Sequence, residues 1–183
     1  MSKKLLNSLK ENLKNLDMTD IVDILVFGSA VKGKEFPKDI DICIIFRKKV
    51  IEEKISDIEN RLKKFNIHIS SLIIDNFFKK PHSLAKTLLV EGISVLSGKS
   101  LANNFNFSSY SIYSYNLSKI KASEKVKFVY LLKGRKDRGI IERLGGEWLA
   151  DSCFLAPIDK DKEIFEIFKK WKVPYKKKEA LIH

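Results

Sequence analysis

Hydrophobic positions in the first half of the chain follow helical and strand-like spacing in turn. Apolar residues recur at three- and four-residue steps, typical of amphipathic helices, over 3–16, 51–65 and 83–90. Short apolar runs rich in β-branched residues, typical of buried strands, occupy 21–27, 39–46, 67–74 and 93–96. This order predicts an α/β (α+β) domain in which helices flank a small mixed sheet.

The second half begins after an Asn- and Ser-rich segment, residues 102–109, which favours a domain boundary there. We therefore predict one domain over 1–104 and a smaller α+β domain over 105–183. Its patterns predict strands at 110–117, 153–158 and 173–182, and helices at 123–133 and 163–171. Ser123 is a candidate N-cap for the first of these helices.

The first candidate for chemistry is the corner that ends the first strand. Gly28 allows a sharp turn and lets the backbone approach a phosphate closely. Ser29 can cap a short helix to about Lys34 and offer its hydroxyl and backbone N–H groups to a triphosphate. Lys32 would bind the triphosphate from the same segment, and Lys34 and Lys38 add nearby positive charge. The corner therefore predicts a nucleotide-binding site.

The second candidate is a pair of carboxylates on the next strand. Because side chains alternate along a strand, Asp39 and Asp41 fall on one face. Two carboxylates held this close repel one another unless a divalent cation lies between them. The pair therefore predicts a metal site for Mg²⁺ or Mn²⁺ that also contacts the phosphates of a nucleoside triphosphate, with ATP the favoured substrate.

Together these features resemble a known family signature. The stretch Val26–Ile44 is similar to the signature of the polymerase-β nucleotidyltransferase superfamily. It most resembles the signature of the minimal nucleotidyltransferases of that superfamily. The run Leu84–Ser100 resembles the end of the same domain, so the resemblance covers about residues 1–100. It implies that the glycine and serine of the corner hold the triphosphate and that the two aspartates bind the metal ions. It also implies an enzyme, a nucleotidyltransferase.

The chain departs from the family pattern on the third strand. The family usually has a third carboxylate there, whereas the aligned position holds His68, and Ser70 shares its face. His68 is a candidate general base because the reference pKa of histidine is near neutrality. A lone histidine on a strand is more often structural, so both interpretations stay open. Asp75 could reach the site only through a bulge; a surface position or a helix cap is the alternative.

Charge points to a polyanionic partner. The formal net charge is +12 and the pI is about 9.6, which favours RNA or DNA, although lysine-rich surfaces also have other origins. Between residues 119 and 143, nine Lys and Arg stand against three acidic residues. The upstream tyrosines, Tyr110, Tyr113 and Tyr115, either stack on bases or pack in a core. Lys176–Lys178 is typical of a protected strand edge.

Some classes of protein are disfavoured. The apolar runs are too short to cross a bilayer, and the N-terminal segment has no apolar stretch typical of a signal peptide. Cys43 and Cys153 lie far apart and form no disulfide or zinc pattern. We therefore expect a cytoplasmic protein without a membrane partner.

The sequence leaves two hypotheses. The first is a metal-dependent enzyme that moves a nucleotidyl group from a nucleoside triphosphate to a hydroxyl acceptor, with nucleic acid the favoured acceptor. The second is a non-catalytic, antitoxin-like protein on a degenerate nucleotidyltransferase scaffold that binds nucleic acid or a partner. A protein partner or a homodimer is compatible with both.

Overall fold

A computed structural model describes residues 1–32, 38–79 and 83–183 of the chain. The chain divides into two units, Met1–Phe107 and Ser108–His183. Each unit has its own sheet and its own apolar core. None of the helices in the described residues combines the length and the apolar character that a membrane span requires.

The first unit is a four-stranded mixed sheet with helices on both faces. Its strands are β1 (Ile21–Phe27), β2 (Ile40–Phe46), β3 (Ile67–Ile73) and β4 (Ile93–Ser94). Its helices are α1 (Lys3–Asn12), α2 (Glu52–Leu62), α3 (Ile74–Lys79) and α4 (Ser83–Glu91). The strand order is β3-β2-β1-β4, with β1 antiparallel to both β2 and β4, and β2 parallel to β3. The predicted mixed α+β architecture is confirmed.

The central strand β2 is apolar on both faces because both faces are covered. Ile42 and Ile44 belong to the core that includes the buried residues of α1 and α2. Cys43 and Ile45 belong to a second core that includes the buried apolar residues of α3 and α4. This double coverage explains the nearly continuous apolar run of the strand. Asp41 has the parity of Cys43 and lies at the start of the strand.

The second unit is a four-stranded antiparallel sheet with three helices. Its strands are β5 (Ser108–Tyr115), β6 (Glu147–Ala150), β7 (Cys153–Pro157) and β8 (Tyr175–Ile182), in the order β6-β7-β5-β8. Its helices are α5 (Ala122–Lys133), α6 (Ile140–Arg143) and α7 (Asp161–Trp171). β8, which carries Lys176–Lys178, is an edge strand, as the lysine run predicted.

The core of the second unit is aromatic. Tyr113 and Tyr115 are 1% and 6% exposed and pack with Phe128, Phe154 and Phe168. For Tyr113 and Tyr115, core packing is therefore the correct interpretation, whereas Tyr110 is only partly buried and is not part of this core. Burial raises the pKa of Tyr113, whose hydroxyl donates a hydrogen bond of 2.6 Å to a carboxylate oxygen of α7.

Several predicted boundaries change. The first helix ends at Asn12 rather than at residue 16, and Asn15 has a left-handed φ of 62°. Three short elements, α3, α6 and β6, were not predicted, because segments of four to six residues are too short to establish a period. Ser123 lies inside α5, and the N-cap residue Lys121 makes no side-chain capping bond.

The two cysteines are free thiols in different units. Cys43 is fully buried in β2, and this burial raises its pKa to about 12. The thiol of Cys43 therefore stays protonated at neutral pH, and its role is that of a small apolar core residue.

Asp23 interrupts the apolar run of β1 and is only partly exposed. Its Oδ1 accepts hydrogen bonds of 2.8 Å from the Ser94 hydroxyl and 2.7 Å from the Ile24 N–H. Burial raises the pKa of Asp23 above its ordinary value of 3.8, although these two bonds act in the opposite direction. Folding therefore disfavours the ionised form of Asp23 compared with the unfolded chain.

Because the folded-state pKa of Asp23 is raised, its protonation stabilises the fold at low pH, and this stabilisation is lost as the pH rises through that pKa. Asp23→Asn keeps an oxygen acceptor and removes the charge. We expect the variant to unfold at higher urea concentration than wild type at pH 7, with the difference disappearing below pH 3.8. The exposed Glu59→Gln is the control. A difference that does not depend on pH would contradict this assignment.

Candidate functional site

The corner after β1 is shaped around Asp41. Phe27 is paired with Asp41 in the antiparallel register, and Gly28 follows with a left-handed φ of 69°. A Cβ atom on residue 28 would lie 2.6 Å from Oδ2 of Asp41, which is closer than such atoms approach. Only glycine therefore allows this carboxylate to lie against the backbone of the corner.

The predicted carboxylates and the histidine lie at the same end of the sheet. Asp39 comes directly before β2, and the parallel register pairs Asp41 with His68 of β3. Nδ1 of His68 is 3.7 Å from Oδ1 of Asp41 and 4.0 Å from Oδ2 of Asp39. All three side chains are solvent-accessible, His68 the most at 66%. The structure thus brings together the residues that were predicted for catalysis.

Asn66, which sequence reasoning missed, fixes the entry into β2. Its side-chain amide donates a hydrogen bond of 2.9 Å to the carbonyl of Lys38. Its own carbonyl accepts one of 2.9 Å from the N–H of Ile40. Asp39 lies between these two anchored residues, so Asn66 holds the backbone that presents this carboxylate. No sequence signal marked this asparagine.

Asp75 does not belong to this group. It lies in the first turn of α3, which follows the end of β3 that is farther from His68. Lys79 forms an ion pair with it at 3.0 Å. Asp75 is thus a surface residue, the alternative that the sequence had left open. In the described residues, no group of three His, Cys, Asp or Glu side chains has the arrangement of a metal site. Among the described residues, Asp39 and Asp41 are the carboxylates that lie beside His68 at this end of the sheet.

The hydroxyl of Ser29 has no protein partner among the described residues. Residues Gly28–Ala30 form a 3₁₀ turn whose N-cap is Phe27, so Ser29 does not cap a helix as predicted. Its Oγ is buried and has no hydrogen-bond partner among the described residues. Buried hydroxyls are nearly always bonded. A hydroxyl that has no partner among the described residues, in the residue after the side-chain-free corner, is a candidate donor to a phosphate oxygen.

Lys32 is held by a residue that sequence reasoning missed. Its Nζ lies 2.6 Å from Oε1 of Glu91, which is 5% exposed at the end of α4, while Oε2 of Glu91 is buried without a partner in the described residues. An acidic residue is unfavourable at a helix C-terminus, so the position of Glu91 was the sequence signal that it has a specific partner. Lys32, which was predicted to bind the triphosphate, forms an ion pair with α4, and its contact with a triphosphate stays a prediction. Lys34 lies outside the described residues.

A family model of known proteins matches the part of the chain that contains this site. The family model described as polymerase beta, nucleotidyltransferase matches residues 7–101, which include the corner, both carboxylates, His68 and Glu91. The match confirms the predicted family and the predicted extent of about 100 residues. No curated protein matches the chain.

The burial of Glu91 makes the ion pair asymmetric. Lys32→Met leaves a buried carboxylate uncompensated, and we expect the unfolding free energy to fall by about 3 kcal/mol. Glu91→Gln leaves a lysine that is 36% exposed and can turn to solvent, so we expect a loss of only about 1 kcal/mol. Urea unfolding measures both values.

The double variant Lys32→Met/Glu91→Gln should recover part of the unfolding free energy that Lys32→Met loses, because the two side chains interact. The exposed pair Lys79–Asp75 is the control, and Lys79→Met should cost less than about 0.5 kcal/mol. If Glu91→Gln lowered the unfolding free energy as much as Lys32→Met does, the assignment of the buried charge to Glu91 would be wrong.

Proposed function

The chain belongs to the polymerase-β nucleotidyltransferase family, and from that premise we propose that its first unit transfers a nucleotidyl group from a nucleoside triphosphate, ATP foremost, to a hydroxyl acceptor. The observation that carries the proposal is the contact between Asp41 and Gly28. It brings a carboxylate against a corner whose serine hydroxyl has no described protein partner. Asp39 adds a second carboxylate to the same end of the sheet.

Each residue has a defined task in this proposal. Asp39 and Asp41 would hold Mg²⁺ or Mn²⁺, which when bound neutralises charge that develops on phosphate oxygens. Gly28 lets the backbone approach the triphosphate, and the hydroxyl of Ser29 donates a hydrogen bond to a phosphate oxygen. The acceptor oxygen attacks the α-phosphorus, the bond to pyrophosphate breaks, and pyrophosphate leaves.

His68 would take the proton of the acceptor hydroxyl. Its Nδ1 faces the two carboxylates at 3.7 and 4.0 Å, which leaves Nε2 as the proton acceptor. The imidazole is well exposed, so an acceptor can reach it. His68 would thus act as general base at the strand position where the family pattern has a third carboxylate.

Net charge supports a nucleic acid as the acceptor. The chain carries a formal charge of +12, and cations that neutralise phosphates gain affinity by releasing counterions. A 3′-hydroxyl of RNA or DNA is therefore the favoured acceptor. A protein side chain or a small molecule would supply the same nucleophile.

A second candidate function is binding without catalysis. It is favoured by the residue opposite Asp41 on β3, which is His68 where the family pattern has a carboxylate. Lys32, whose charge is compensated by Glu91, is also less available to phosphates. An antitoxin-like protein that binds nucleic acid or a protein partner would need the fold of the first unit but not a catalytic site.

Labelled nucleotides distinguish the two functions. We expect the protein to transfer label from α-labelled ATP to total RNA with Mg²⁺ or Mn²⁺. Asp39→Ala/Asp41→Ala should reduce the rate by at least about 10³-fold, because the charge-stabilising donors are lost. Glu59→Ala, at an exposed position of α2, is the control. Retention of RNA by wild type and double variant alike, with no transfer by either, would favour the binding protein.

His68 is tested by two substitutions. Loss of a general base lowers the transfer rate by about 10²- to 10⁴-fold, which we expect for His68→Ala. His68→Asp adds a third carboxylate and should tighten Mn²⁺ binding in calorimetry by about tenfold. Ser70→Ala, on the same strand and face, is the control and should change neither value. A His68→Ala variant with the wild-type rate would show that the histidine is not the base.

A further inference from the structure

A tight basic loop follows α5 in the second unit. Gly134 has a left-handed φ of 84°, and a Cβ atom there would lie 2.0 Å from the carbonyl oxygen of Asp137. A Cβ atom on Gly139 would lie 2.0 Å from the carbonyl oxygen of Leu132. The loop therefore folds back on the end of α5, and only glycines fit at its two ends.

Aromatic rings lie beside the cations of this region. The guanidinium carbon of Arg135 is 5.4 Å from the ring centroid of Tyr130, which is 44% exposed. Nζ of Lys133 is 4.9 Å from the ring centroid of Trp148 on the edge strand β6. We call Tyr130, Lys133, Arg135, Lys136 and Trp148 the basic–aromatic surface.

The positive charge of the loop is only partly compensated. Arg138 pairs with Glu142 at 3.2 Å, and Lys133 pairs with Asp151 at 3.1 Å. Arg135 and Lys136 are exposed and form no ion pair with any residue that the structure describes. Two exposed cations without an ion pair among the described residues, on a tight loop beside the accessible ring of Tyr130, form a surface for a ligand that carries both phosphates and planar groups.

We propose that the basic–aromatic surface binds single-stranded nucleic acid. Bases in a single strand expose their faces to aromatic side chains, whereas bases in a duplex are stacked on one another. The loop cations match the phosphates of the strand. The inference rests on the proposed function in one respect, since the bound strand would be the acceptor of the nucleotidyl group.

Fluorescence anisotropy with labelled single-stranded RNA, single-stranded DNA and duplex DNA tests this inference. The assay contains EDTA and no nucleotide, so it measures binding apart from catalysis. Arg135→Ala/Lys136→Ala should weaken single-strand binding at least about tenfold and lower the salt slope by about 1.4, for two lost phosphate contacts. Tyr130→Ala should weaken binding by about tenfold, while Tyr130→Phe keeps the ring and the affinity.

The matched control is Lys176→Ala/Lys178→Ala, which removes the same charge from exposed positions of β8. We expect this variant to change the affinity for single strands less than about twofold, because it loses only the small effect of net charge. Equal loss in both double variants, or tighter binding of duplex DNA, would overturn the inference. Tighter binding of RNA than of DNA would indicate contacts with the 2′-hydroxyl, and equal binding would indicate recognition of bases and phosphates alone.

Asp39→Ala/Asp41→Ala separates this inference from the proposed function. This variant should bind single strands as wild type does, because its substitutions lie in the other unit. Strand binding without label transfer would contradict only the proposed function. Label transfer to a small hydroxyl compound by a protein that binds no strand would contradict only the inference about the surface.

Discussion

The contact between the carboxylate of Asp41 and the backbone of Gly28 is the constraint on which the candidate site depends. The carboxylate occupies the volume that any side chain on residue 28 would need. Antiparallel pairing of β1 with β2 creates this contact, because it sets Phe27 opposite Asp41. Parallel pairing of β2 with β3 then brings His68 to the same level. The register of three strands therefore determines which side chains meet at this end of the sheet.

That register is maintained by burial on both faces of the sheet. A shift of β2 by one residue would exchange the side chains of its two faces, so that Ile42 and Ile44 would enter the core now occupied by Cys43 and Ile45, and Asp41 would turn toward the opposite core. Poor packing in both cores and desolvation of a carboxylate would cost a large fraction of the net stability of a domain. The same apolar packing that folds the first unit therefore also positions its carboxylates.

The aromatic residues of the second unit serve two purposes. Some form a core, in which Tyr113 and Phe168 stack, whereas Tyr130 is accessible on the surface. Burial decides between these uses. Tyr113 needs a buried acceptor for its hydroxyl and finds one on Asp161. Tyr130 lies beside Arg135 and keeps a ring exposed to solvent.

By itself, the sequence determined the family, the mixed architecture of the first unit and the residues of its carboxylate pair. Short-range patterns were sufficient for these features, because strand alternation puts Asp39 and Asp41 on one face and a glycine ends the strand before them. Only the tertiary structure decided that Glu91 engages Lys32 and that Ser29 has no protein partner among the described residues. These facts depend on contacts between segments far apart in the chain. No local period encodes such contacts, since they arise only when the helices pack on the sheet.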